Sequence, residues 1–398
     1  MEVKFVKKDV NYIISSIIKA NNTLEKNRIF ENSFRKSDNI KILLFDEENS
    51  NVDKTFKNRE INGYKIFAPA DYTKMWVLDS KHIGETSREL KIGKVIHFDI
   101  NILSYLNKYL NNRKQNIDIK HLLEYLQFIK GNEFSCNIST ALMERSKSPL
   151  NNKSKKIWSE IIISYVKFTK EEFSIYQPKE LMLNESDYMW AKDIYEGLIE
   201  LSAQQLDQYN ALCCFVLKAF LIKQDKTIKN KLDTLLQYSL DVLNVYLELE
   251  TVLIYYYFNA DNVAKKIFEK IEGFSKATVN RILNTVWDIS HFRLLETSLM
   301  IDNKESEEIF LSYIGSRDNA FNELANINPI KMFVIYEGQS FAIRKKGIQD
   351  VCTNEELLHK IRSEMEERRI NINKVDLKRE KSYLINEIKH KQELFYQN

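Results

Sequence analysis

The sequence predicts an α/β fold interrupted by a large all-helical block. Short apolar runs bounded by polar residues, the mark of buried strands, occur before residue 148 and return after residue 300. Between residues 150 and 280 the apolar residues recur at helical spacing instead. Nine Gly and four Pro in 398 residues favour long helices over a many-stranded β fold, which needs tight turns.

Residues 1–90 read as a mixed α/β extension. Ile13, Ile14, Ile17 and Ile18 share one side of a helix over Val10–Ala20, and strands are expected at Ile40–Phe45, Tyr64–Phe67 and Met75–Leu78. In residues 91–149, Val95–Phe98 is a buried-strand candidate. Ile102, Leu103, Leu106 and Leu110 mark one helix, and Ile119, Leu122, Leu123, Leu126 and Ile129 mark another, which ends at Gly131-Asn132. An apolar segment around Phe134 leads to a helix holding Glu144. After the break at Pro149, residues 150–280 form the helical insertion. Its clearest stripe is Leu232, Leu236, Leu240, Leu243 and Leu247, and Tyr255-Tyr256-Tyr257 closes a buried helix. Over residues 281–340 the pattern predicts a helix from Asp288 to Leu299, a strand Ile309–Ile314, a helix Ala320–Ala325 and a strand Met332–Tyr336. Residues 341–398 form a charged helical tail, with Leu357, Leu358, Ile361 and Met365 on one face.

Composition narrows the class. At 44% hydrophobic and 29% charged, the chain is an ordinary globular protein. A net charge of +3, from 59 basic and 56 acidic residues, neither demands nor excludes nucleic acid. Cys136, Cys213, Cys214 and Cys352 form no CxxC pair, so a zinc site is not expected and reduced thiols are. No signal peptide opens the sequence, and its longest apolar run, Val252–Phe258, is too short to span a bilayer. These features point to a cytoplasmic protein without a membrane partner. No GxGxxG, GxxxxGK[ST] or Gly-x-Ser-x-Gly string occurs, and none of the six histidines forms an HExxH string. His97 reads as a structural strand residue, while His291 lies one turn from Asp288.

The chemistry rests on four acids. Asp99 ends the apolar run Val95-Ile96-His97-Phe98 and is followed by Ile100-Asn101-Ile102-Leu103. Glu144 follows Ser139-Thr140-Ala141-Leu142-Met143. Asp288 lies in Val286-Trp287-Asp288-Ile289, and Asp318 in Ser316-Arg317-Asp318-Asn319-Ala320. This arrangement resembles the PIN-like nuclease family. That family has an Asp-x-Asn after the first strand, a Glu on a helix, an Asp opening a helix and an Asp after a late strand.

The resemblance covers roughly residues 91–148 and 282–337. It implies a PIN-like three-layer α/β/α sandwich with a parallel sheet, interrupted here by the helical insertion. It also implies metal-dependent phosphodiester hydrolysis with Mg²⁺ or Mn²⁺ held by Asp99, Glu144, Asp288 and Asp318. Asn101 and Arg317 would support that site. RNA is the favoured substrate, and the family's toxins suggest a phage-defence effector. Room remains for a regulatory protein partner and for an oligomer.

The family aside, acids just past the carboxyl ends of neighbouring parallel strands converge on one crevice, and clustered carboxylates call for a hard cation. Each acid also has a plain reading. Asp46 and Asp79 end strand candidates too, Asp288 suits a first helical turn and Asp318 suits a turn. The competing function is a non-catalytic helical interaction or scaffold protein on an α/β base, in which the acids would be scattered.

Overall fold

A computed structural model describes residues 2–45, 47–48, 50–52, 57–84, 90–111, 113, 118–145, 152–170, 181–303, 308–318, 320–337, 339–368 and 375–397. The chain opens with α1 (Glu2–Lys19), α2 (Thr23–Ser33), β1 (Ile40–Leu44), β2 (Arg59–Ile61), β3 (Tyr64–Phe67) and β4 (Trp76–Asp79). It continues through β5 (Ile92–Phe98), α3 (Ile100–Leu110), α4 (Ile119–Gly131), β6 (Phe134–Asn137) and α5 (Ser139–Arg145). The helical block comprises α6 (Asn152–Thr169), α7 (Glu185–Gln224), α8 (Lys231–Tyr238), α9 (Glu248–Phe258), α10 (Asn262–Phe268) and α11 (Thr278–Asn303). Then follow β7 (Ile309–Ser316), α12 (Ala320–Ile327), β8 (Ile330–Tyr336), β9 (Gln339–Arg344), α13 (Glu355–Arg368) and α14 (Leu377–Gln397).

The protein is a mixed α/β structure with two sheets, where the sequence predicted one parallel sheet. The larger sheet has the order β2-β3-β7-β5-β6. Its β7-β5-β6 portion is parallel, and β3 and β2 add antiparallel pairs beside β7. The smaller sheet, β4-β1-β8-β9, is antiparallel throughout. Alternation along the strands splits the larger sheet's contacts. Ile96, Phe98 and Tyr313 join a core with Leu103 and Leu106 of α3, Leu122 and Tyr125 of α4 and Trp158 of α6. Ile314 joins a different core with Met143 of α5 and with residues of α7, α9 and α11. Helices therefore cover both faces of the parallel strands.

Several elements differ from the sequence reading for identifiable reasons. The Leu232–Leu247 stripe is not one helix. After α8 the chain makes a π-helical turn over Ser239–Leu243, and Asn244, at φ 54°, ends it in the left-handed region. Ile18 faces solvent, while Val10, Ile14 and Ile17 carry the buried side of α1. β9 occupies part of the expected basic tail, where Arg344 pairs with Glu296 of α11. Leu357, Leu358 and Ile361 are buried as expected, and the side chain of Met365 lies outside the described residues. Among the described residues no helix is long and apolar enough to cross a membrane.

Candidate active site

The chain leaves β5 through α3 and α4 and lays β6 on one side of it. It then returns through the helical block and lays β7 on the other side. The winding reverses between β5 and β7. At such a switch point the connections leaving the strand ends diverge, and a crevice opens beyond the carboxyl ends. Phe98 and Gly315 are register partners at those ends.

Asp99 sits at this switch point because it does three local jobs. Its backbone N–H donates to the Gly315 carbonyl at 2.9 Å and so prolongs the ladder. Its carboxylate caps α3, accepting the Asn101 backbone N–H at 3.3 Å, and the Asn101 side-chain amide donates to it at 3.3 Å. The hydroxyl of Ser316, the last residue of β7, donates to the same carboxylate at 2.8 Å. Ser316 Oγ in turn accepts the backbone N–H of Asp318 at 2.9 Å. One serine thus ties the two predicted acids together across the switch point.

The electrostatics follow from that packing. Burial pushes the Asp99 carboxyl above its ordinary range. Hydrogen bonds from Ser316 and Asn101 oppose the rise, and the neighbouring Asp318 charge adds to it. Asp318, Arg317 and Asn101 are exposed at the mouth. The Arg317 guanidinium lies 5.2 Å from the ring centroid of buried Tyr64, which stacks on Tyr125 at 5.2 Å. Burial raises the Tyr64 phenol, Arg317 pulls it down, and Asp118 pushes it up. Asp118 caps α4, accepting the Lys120 N–H at 2.9 Å.

The remaining predicted residues stand as follows. Glu144 belongs to α5, which packs on β5, but its side chain lies outside the described residues. Asp288 does not open its helix. α11 begins at Thr278, whose hydroxyl accepts the Ser275 N–H at 2.6 Å, so Asp288 is well inside α11, half-buried. α11 packs against β7 and α5. Among the described residues no three His, Cys, Asp or Glu side chains gather as a metal-holding group, and Glu144 is not among those side chains. Of the competing acids, Asp79 caps a short 3₁₀ turn and pairs with Lys41 at 3.9 Å, and Asp46 lies outside the described residues. His97 and His291 are both buried.

Sequence reasoning missed Ser316, Tyr64 and Asp118 as site residues. Ser316 had a local signal, a hydroxyl two residues before Asp318. Tyr64 reaches the site only because β3 pairs with β7, with Lys65 opposite Ser316. No family model, no curated protein and no solved structure matches this chain.

Proposed function

We propose that this protein is a metal-dependent nuclease of the PIN type, cleaving phosphodiesters in the crevice between β5 and β7. The observation that carries the reading is the Asp99–Ser316–Asp318 arrangement at the switch point. The β7-β5-β6 order, with helices on both faces, is compatible with the three-layer sandwich the sequence resembles. The donor chemistry fits Mg²⁺ or Mn²⁺. It consists of oxygens alone, and burial strains the ionised state of one carboxyl, which a cation would restore.

Asp99 and Asp318 would hold that cation with Glu144 of α5 as the candidate third ligand, since the described carboxylates of Asp99, Asp288 and Asp318 do not gather by themselves. When bound, it would supply Lewis-acid stabilisation of charge on the scissile phosphate. Ser316 and Asn101 fix the Asp99 carboxylate, so its orientation does not depend on substrate. Arg317, braced over Tyr64 at the mouth, offers a guanidinium to a backbone phosphate. RNA is the favoured substrate, and a defence effector is the biological role to examine first.

The test is cleavage of total RNA and of single-stranded DNA by the full chain, with Mg²⁺ or Mn²⁺, beside Asp99→Asn. Metal-dependent cleavage of RNA is expected, falling by at least about 100-fold in the variant, because metal-based charge stabilisation is worth several kcal/mol. No cleavage by folded wild-type protein would reject the nuclease in favour of the helical interaction protein.

A further inference from the structure

A recess of about 770 Å³ is lined by none of Asp99, Ser316, Arg317 and Asp318, although it takes in Met143 and Trp287, the neighbours of Glu144 and Asp288. It lies between α7, α11, the start of α9 and the β8–β9 hairpin, and its volume is that of a small-molecule site. Tyr209, Trp287, Tyr246 and Phe341 give it aromatic walls, with the Tyr209 and Trp287 rings edge to face at 5.7 Å.

Its polar groups are not equivalent. Fully buried Glu250 has both carboxylate oxygens taken by the Arg293 guanidinium. Arg344 is held by Glu296 and by the Asn328 carbonyl at 2.7 Å. Both guanidiniums are therefore committed to carboxylates. Glu248, in the first turn of α9, accepts a backbone hydrogen bond from Ile348, and no ion pair is seen for it among the described residues. Its side chain is exposed at the recess, and burial raises its carboxyl while the Ile348 hydrogen bond and the Arg344 and Arg293 charges oppose the rise. Three carboxylates against two engaged guanidiniums make a poor receptor for phosphate and a good one for a hydrogen-bond donor.

We propose that this recess binds a planar heterocycle of the nucleobase class bearing an exocyclic amine. The ring lies against the aromatic walls, and the amine donates to Glu248. The ligand is either a free nucleoside or nucleotide or an unpaired base of an RNA strand. The chemistry is the same in both cases, and it does not depend on nuclease activity.

Calorimetric titration of the full chain in metal-free buffer tests the proposal, using adenosine, guanosine, cytidine, uridine and the hexamers rA6 and rU6. The three amine-bearing nucleosides are expected to bind at least tenfold more tightly than uridine. That preference should fall at least tenfold in Ser290→Phe, which fills the recess, and in Glu248→Ala, which removes the acceptor at an exposed position. Comparable affinity for adenosine and rA6 identifies a free ligand. Binding of rA6 at least tenfold tighter than adenosine and rU6 identifies a strand. The proposal is overturned by absence of binding at millimolar concentration, by equal binding of uridine, or by affinity unchanged in both variants.

Discussion

At the scale of single residues, Asp99 and His97 carry opposite burdens within one strand and its exit. Asp99 is a buried carboxyl with a raised pKa. It therefore binds a proton more readily folded than unfolded, and its ionised form weighs against the fold near neutral pH. Asn caps a helix as well as Asp does, so Asp99→Asn keeps the α3 cap and removes the charge. The variant is expected to melt above wild type in metal-free buffer. Mg²⁺ or Mn²⁺ should raise the wild-type Tm and leave that of the variant unchanged, which differential scanning calorimetry reads directly. His97 has its pKa lowered by burial to about 4, and neither ring nitrogen has a hydrogen-bond partner among the described residues. The unfolded chain protonates first as pH falls through the ordinary value of about 6.5, so stability is present above that pH and drains away down to about pH 4. The loss from this residue is about 3 kcal/mol at most. Denaturant titrations at pH 7.5 and 4.5 should show His97→Leu losing markedly less on acidification than wild type.

At the scale of elements, the larger sheet leaves no slack under the site. A Cβ on Gly315 would stand 2.2 Å from the Tyr125 hydroxyl and 3.1 Å from Ile96 Cδ1. Gly315→Ala is expected to cost about 1–3 kcal/mol, the usual range for overpacking. Adding Tyr125→Phe should recover part of that, because it deletes the nearest atom, and that hydroxyl has no hydrogen-bond partner among the described residues. A urea titration of the single and double variants checks the sign. Local sequence signals located most elements, since β3 was legible to the residue and β5, α3, α4 and β8 nearly so. They failed where a tertiary device ended or displaced an element. The leucine stripe keeps its period through the π turn, so periodicity cannot reveal the stop that Asn244 makes. Asp288 looked like a helix start, but α11 begins ten residues upstream at Thr278. β2 is short and mostly exposed, with no apolar alternation to betray it. Within the site, Asp99 and Asp318 were visible because each follows an apolar strand. The serine joining them had a local signal in its place two residues before Asp318, but its bond to Asp99 exists only once two distant strands are neighbours.

At the scale of the whole molecule, the first 90 residues are woven into both sheets. β1 is an inner strand between β4 and β8, and β3 braces β7 beside Ser316. Removing residues 1–90 would bare an apolar strand edge on β8 and withdraw Tyr64 from beneath Arg317. A 91–398 fragment is therefore expected to be insoluble or to lack a cooperative melting transition, as expression and calorimetry would show. The bond from Ser316 to Asp99 spans 217 residues. At a synthesis rate of roughly 5–20 residues per second, about 10–40 s separate the two on the ribosome. During that interval Asp99 has emerged but its partner strand has not been made, so a chain halted anywhere in the helical block carries half a crevice. A chain that stops within the helical block therefore cannot form the Ser316–Asp99 hydrogen bond, and the proposed site is completed only once β7 has been made.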